Sequence, residues 1–201
     1  RETIFRLGLA VLILVSITSI VGILLTRRST RESSRYASRR LDISPRQALT
    51  SRSFWLLLAA VVLAPFTYHL ALIHQIAYLG DFGYPPIQAG AAVASMGLAA
   101  VAGRFAAGAL SDNFGRTRTY AACAILVAGS YIILALSRGS SAIVILCYAI
   151  CLGIGYGGFA PLFPAGSSDL FGGKHYATIH SWLYVGVALG GALGTWIPGK
   201  I

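Results

Sequence analysis

A single charged side chain, Arg104, interrupts the apolar run Ile87–Leu110. It stands eight residues before Asp112. That is about 12 Å along a helix, and half of a bilayer's hydrocarbon core is about 15 Å. With Asp112 at the membrane edge, Arg104 lies near the bilayer middle. Inserting a guanidinium there costs at least about 2.5–3.5 kcal/mol. The group cannot shed its charge, because its pKa exceeds about 12. It therefore needs an anion, a water-filled cavity or backbone carbonyls. Glu2, Glu32, Asp42, Asp81, Asp112 and Asp169 all fall at segment ends or in loops, so no acid shares its depth. A ligand carboxylate would complete the site, since a guanidinium grips a carboxylate with two parallel hydrogen bonds. A partner acid elsewhere in the protein and snorkelling toward the headgroups are the alternatives.

Polar residues on neighbouring apolar runs are the next candidates. Thr67, Tyr68, His74, Gln75 and Tyr78 fall within about 120° of one another on a helical wheel, among Leu, Ala, Val and Ile. Such a face should not meet lipid. It is either the wall of a polar cavity or a seam of helix–helix hydrogen bonds. His69 lies on the other side, as expected of a packed imidazole with one hydrogen bond. In the last run, Tyr176, His180, Ser181, Tyr184, Gly191, Gly194 and Thr195 share one face, with Trp182, Val185, Leu189 and Trp196 opposite. This predicts the first face inward, with Tyr184 as a cavity donor, and the tryptophans toward lipid near the interfaces. Gly90, Gly97, Arg104 and Gly108 also fall on a narrow arc, which predicts a small-residue stripe turned toward the bundle.

These residues need helices to hold them, and the composition supplies them. The chain has 201 residues, 56% of them hydrophobic and only 11% charged, with 23 glycines. Its mean hydropathy is +0.73. Disorder is excluded, because it requires few apolar residues, and a soluble enzyme could not bury so much apolar surface. The net charge of +10 suggests a polyanion, but eight arginines are packed between Arg27 and Arg52 with no folded platform around them, so no nucleic-acid partner is expected. Paired carboxylates at depth, a Ser-His-Asp set and metal-ligand spacing are all missing, so neither an enzyme nor a metal or cofactor site is expected. Cys123, Cys147 and Cys151 read as small packing residues.

Six apolar segments are long enough to span a bilayer: Ile4–Thr26, Phe54–Leu79, Ile87–Leu110, Thr119–Leu136, Ser141–Ala165 and Ala177–Pro198. In lipid they must be helices. The basic residues gather in the 27–52, 111–118 and 166–176 loops, which the positive-inside rule puts in the cytoplasm, leaving both ends of the chain outside. The 27–52 stretch is Ser- and Arg-rich without an apolar period. It is a solvated linker or a binder of anionic headgroups. Asp42–Pro45 then reads as a short turn or helix start before an interfacial stretch.

After the third of these spans comes Gly108-Ala109-Leu110-Ser111-Asp112-Asn113-Phe114-Gly115-Arg116-Thr117-Arg118. Gly115 permits a tight turn between antiparallel helices. Arg116 and Arg118 can pair with an acid on a neighbouring loop, where Asp169 is available. This stretch resembles the signature loop of the major facilitator superfamily at Gly108, Leu110, Asp112, Gly115 and Arg116, with Arg118 a further basic residue. Ser111 and Asn113 depart from the pattern. The resemblance covers essentially the whole chain. One span, a long basic loop and then the motif match the sixth to eleventh helices of a twelve-helix transporter. It implies an all-α integral membrane protein. Residues 1–26 would be the sixth helix and 27–53 the linker between halves. Residues 54–201 would be a C-terminal half without its last helix, whose partner is the missing N-terminal half.

Within the superfamily, the stretch His74–Tyr84, the run Gly103-Arg104 to Asp112, and Leu152–Gly158 with Pro161–Pro164 and Asp169–Gly172 resemble monocarboxylate and oxalate–formate type carriers. The resemblance implies a secondary active transporter in the cell (inner) membrane that moves a small organic anion by alternating access. Arg104 would bind the anion, and His74, Tyr68, Gln75 and Tyr184 would shape the cavity. A proton is the candidate coupling ion, with His74 as its carrier. Oxalate-type members carry a further lysine where Gly186 stands here, which favours a monoanion. A non-transporting membrane sensor or scaffold on the same fold, and a carrier of an uncharged or cationic solute, are the alternatives.

Overall fold

The structure, a computed structural model, describes residues 43–136 and 141–197, apart from the Thr117 side chain. The first predicted span and most of the basic linker lie outside them. Six helices follow in order: α1 Pro45–Thr50, α2 Arg52–Asp81, α3 Pro86–Phe114, α4 Arg116–Leu136, α5 Ala142–Phe171 and α6 Tyr176–Trp196.

Local chemistry starts and stops them. Ser44 and Gln47 form a reciprocal capping box on α1, with Pro45 at its first turn. Ser51 then works on two helices at once. Its hydroxyl donates to the Ala48 carbonyl at 2.7 Å and accepts from the Phe54 amide at 3.2 Å. The Trp55 indole donates back to the Leu49 carbonyl at 2.8 Å. The end of the predicted linker is therefore a folded turn of helix. Its Ala48 is buried in a cluster with Phe54, Phe171, Ile179 and Leu183.

Two loops expected from hydropathy are mostly helix. The 111–118 loop shrinks to Gly115, whose φ of 85° turns the chain from α3 into α4. The Gly115 amide donates to the Ser111 carbonyl, and its own carbonyl accepts from Thr119. The 166–176 loop also loses most of its length, because α5 runs on to Phe171. Hydropathy marks membrane depth, whereas a helix continues until its backbone hydrogen bonds fail.

Among the described residues, α2, α3, Arg118–Leu136 of α4, and α5 are long and apolar enough to cross a membrane. The 21-residue α6, predicted as a span at 177–198, is not among them. Its tyrosines, His180 and glycines lower its hydropathy, and it lies along α2.

Glycines set the packing. Gly153 and Gly157 of α5 let α3 approach so closely that an added Cβ would meet the Met96 and Ala100 carbonyls, while Gly155 and Gly158 meet Cys123 and Val127 of α4. Gly186, Gly190 and Gly194, spaced by four, do the same for α6 against Leu58, Val62 and Phe66 of α2. These contacts run in register, so α2 and α6 are parallel to each other, as are α3 and α5. By contrast, Gly90, Gly97 and Gly108 meet nothing within 4 Å. The predicted small-residue stripe is thus corrected: Met96, Ala99, Ala100, Gly103 and Ala107 make the packed face of α3. Gly90 and Gly97 are exposed, and Arg104 stands at the flank of that packed face. One end of the bundle collects Arg46, Arg52, Arg116, Arg118 and Lys174, at the starts of α2, α4 and α6 and the ends of α3 and α5.

Candidate functional site

A cavity of about 440 Å³ extends from Arg104 to the basic end, where Arg116 and Asp169 line it. α2 contributes small and apolar walls such as Ala60, Val61 and Pro65; α5 contributes Tyr156, Phe159 and Phe163; α6 contributes His180 and Tyr184. Arg104 lies four residues, about 6 Å, from the middle of the 29-residue α3. It is exposed to the cavity, and among the described residues it makes no hydrogen bond or ion pair. Its charge reaches the phenols of Tyr68 and Tyr156, and Tyr156 and Tyr184 line the same cavity.

The aromatic wall is built by helix periodicity. Tyr176, His180 and Tyr184 recur every four residues on α6 and so stand above one another. The His180 ring stacks on Phe163 at 5.0 Å and 24°, and on Tyr176 at 5.3 Å and 30°. Buried Ser167 ties this ladder to α5. Its hydroxyl lies 2.9 Å from His180 Nδ1 and 3.2 Å from the Tyr176 hydroxyl, and donates to the Pro164 carbonyl at 3.0 Å. At the mouth, Arg116 forms an ion pair with Asp169 and donates to the Ala165 carbonyl at 2.7 Å. That leaves Arg104 as the cavity-lining cation without a counter-charge among the described residues. Apolar and aromatic walls with phenolic donors around a fixed positive charge suit an anion of modest size.

The sequence-derived candidates do not all meet here. Arg104 and Tyr184 line the cavity. Tyr68 sits behind the lining, its ring stacked on Tyr156 at 3.7 Å and 6°. His74 turns the other way, with Nε2 3.1 Å from the Thr195 carbonyl on α6. Gln75 is buried and accepts from the Tyr148 hydroxyl at 3.3 Å, and its Nε2 has no partner among the described residues. Thr67 is buried too, and its carbonyl accepts from Tyr131 at 2.6 Å. The polar arc of α2 is thus shared between α6 on one side and α4 and α5 on the other, as hydrogen bonds between helices. His69 bonds the Pro65 carbonyl at 2.9 Å and packs on Gly191.

In the signature loop, Gly115 makes the turn and Arg116 pairs with Asp169, whereas Asp112 and Arg118 are exposed on α3 and α4. Tyr156, Phe163 and His180 line the cavity without having been picked out as substrate-binding residues. The i, i+3, i+7 spacing of Tyr156, Phe159 and Phe163 carries the signal, masked by the glycines between them. The three cysteines are free, and among the described residues no group of His, Cys, Asp or Glu could hold a metal.

The sequence model of the Major Facilitator Superfamily matches residues 3–195. Comparison with curated proteins and with solved structures gives no match.

Proposed function

Because the chain belongs to the Major Facilitator Superfamily, and is thus an integral membrane protein of a transporter family, we propose that it carries a small organic anion, a monocarboxylate, across the bilayer by alternating access. The observation that supports this reading is the guanidinium of Arg104, without a counter-charge among the described residues and near mid-helix in an aromatic-walled cavity. In this reading Arg104 grips the carboxylate, and the phenols of Tyr156 and Tyr184 hydrogen-bond it or its substituents. Tyr68 braces Tyr156 from behind. His74 and Gln75 hold α2 to its neighbours and so fix the wall rather than touch the substrate.

The basic end of the bundle, with the 27–53 linker, faces the cytoplasm, in keeping with its arginines. The membrane is the cell's inner membrane. Rocking needs a second half opposite the Arg104 face, and the exposed Gly90 and Gly97, with half-buried Gly108, suit a close approach there. A coupled proton would be held by His180, which lines the cavity, in place of His74.

Counterflow of labelled lactate or pyruvate into proteoliposomes tests the proposal. Wild-type protein should exchange the label, and Arg104→Ala, inserted at a normal level, should not. Exchange at unchanged affinity in the variant would remove Arg104 from the site. No exchange of any acid by wild-type protein would favour a sensor on the same fold.

A further inference from the structure

A second, shallower groove shares no lining residue with the cavity. It lies between α3 and α4 and has a volume of about 320 Å³. Gly103 and Ala107 keep its floor low, and Leu110, Phe114 and Leu126 form its sides. Phe114 and Leu110 are 59% and 45% exposed, so the groove opens outward and not into the helix core. It runs from Arg118 to Leu126 along α4, eight residues or about 12 Å, close to the roughly 15 Å depth of one leaflet.

The polar groups at its mouth are few, and most are committed. Thr119 spends its hydroxyl on the Gly115 carbonyl at 3.0 Å, and Arg116 is paired with Asp169. Arg118 opens the apolar stretch Arg118–Leu136, so a bilayer spanned by that stretch has its headgroups at Arg118. It is exposed, and among the described residues it has no ion pair, not even with Asp112 on the adjoining helix end.

We propose that this groove holds one acyl chain of an anionic phospholipid whose phosphate rests on Arg118. The shape and the charge argue for the two ends of one molecule. A channel with almost no polar surface, as long as a leaflet is deep, fits a hydrocarbon chain. A free guanidinium at its interfacial end fits the phosphate that such a chain carries. A free phosphate would leave the groove unfilled, and a zwitterionic lipid would set its own headgroup cation against the charge of Arg118. The site is independent of the anion proposed for the cavity.

Retained lipid is the readout. Purified protein is equilibrated in micelles with equal dioleoylphosphatidylglycerol and dioleoylphosphatidylcholine, exchanged into lipid-free detergent, and weighed by native mass spectrometry. Wild-type protein should retain phosphatidylglycerol about five-fold over phosphatidylcholine, the preference expected of one interfacial arginine. Arg118→Gln should abolish the preference and Arg118→Lys should keep it. Ala122→Trp, which fills the groove with Arg118 in place, should lose both lipids. Equal retention by wild-type protein would overturn the proposal. So would a preference that survives both Arg118→Gln and Ala122→Trp, since it would then belong to other basic residues. Retention of neither lipid, with inorganic phosphate bound instead, would mean an ion site without a lipid, and would overturn it too.

Discussion

The rings of Tyr68 on α2 and Tyr156 on α5 lie parallel, 3.7 Å apart, with the charge of Arg104 felt at both hydroxyls. The stack joins two helices at the depth of the cavity and fixes Tyr156 as a wall. Tyr156→Phe keeps the stack and removes one donor. It should weaken anion binding about two- to twelve-fold, the worth of one hydrogen bond, with thermal stability unchanged. Tyr156→Ala should also cost stability, on the order of 2 kcal/mol, because both the stack and the packed ring are lost. Binding isotherms and unfolding curves on the two variants check this. Equal loss of binding in both, with no change in stability, would mean that the ring does not brace the wall.

The glycine contacts make opposite predictions at two kinds of site. An added Cβ at Gly157 would strike the Ala100 carbonyl, and one at Gly190 the Val62 carbonyl. Backbone cannot swing aside as a side chain can, so Gly157→Ala and Gly190→Ala should each cost about 1–3 kcal/mol. Gly129 meets nothing within 4 Å, and Gly129→Ala should be neutral or gain up to about 1 kcal/mol from helix propensity. Chemical denaturation in detergent separates the two classes.

Arg116 and Asp169 are 42% and 39% exposed, so water screens their pair. Asp169→Asn should lower stability by less than about 1 kcal/mol, and less still at high salt. Arg116→Gln should cost more, because it also frees the Ala165 carbonyl. A double-mutant cycle gives the coupling. A value above about 2 kcal/mol would mean that the pair is buried by a part of the protein not described here.

His74 separates the wall from the seam. With its Nε2 at the Thr195 carbonyl, His74→Ala should cost about 1 kcal/mol of stability and change anion affinity less than about two-fold. A ten-fold loss of affinity at unchanged stability would make His74 a ligand.

Much of this was legible in the residues. Long apolar runs announce helices because the bilayer leaves the backbone no other way to satisfy itself. The place of Arg104 near the middle of α3 follows from counting residues to Asp112, and the place of Tyr184 on the cavity wall from periodicity. The rest was hidden for physical reasons. An arc of about 120° is wide enough for α2 to face two neighbours, so Tyr68, His74 and Gln75 shared a face without sharing a site. Tyr156 stood in a run dominated by glycines, which serve close packing against α3 and α4. The helix ends at Phe114 and Phe171 lie beyond the apolar runs that marked them.

The most direct test of an anion site at Arg104 is ligand-induced thermal stabilisation in detergent. Lactate, pyruvate, formate, oxalate and neutral sugars would be compared on wild-type protein and Arg104→Ala. Stabilisation by the monocarboxylates, smaller with oxalate, absent with sugars and lost in the variant, is the expected result. Stabilisation by sugars alone, or by monocarboxylates equally in Arg104→Ala, would contradict it and leave Arg104 a structural charge.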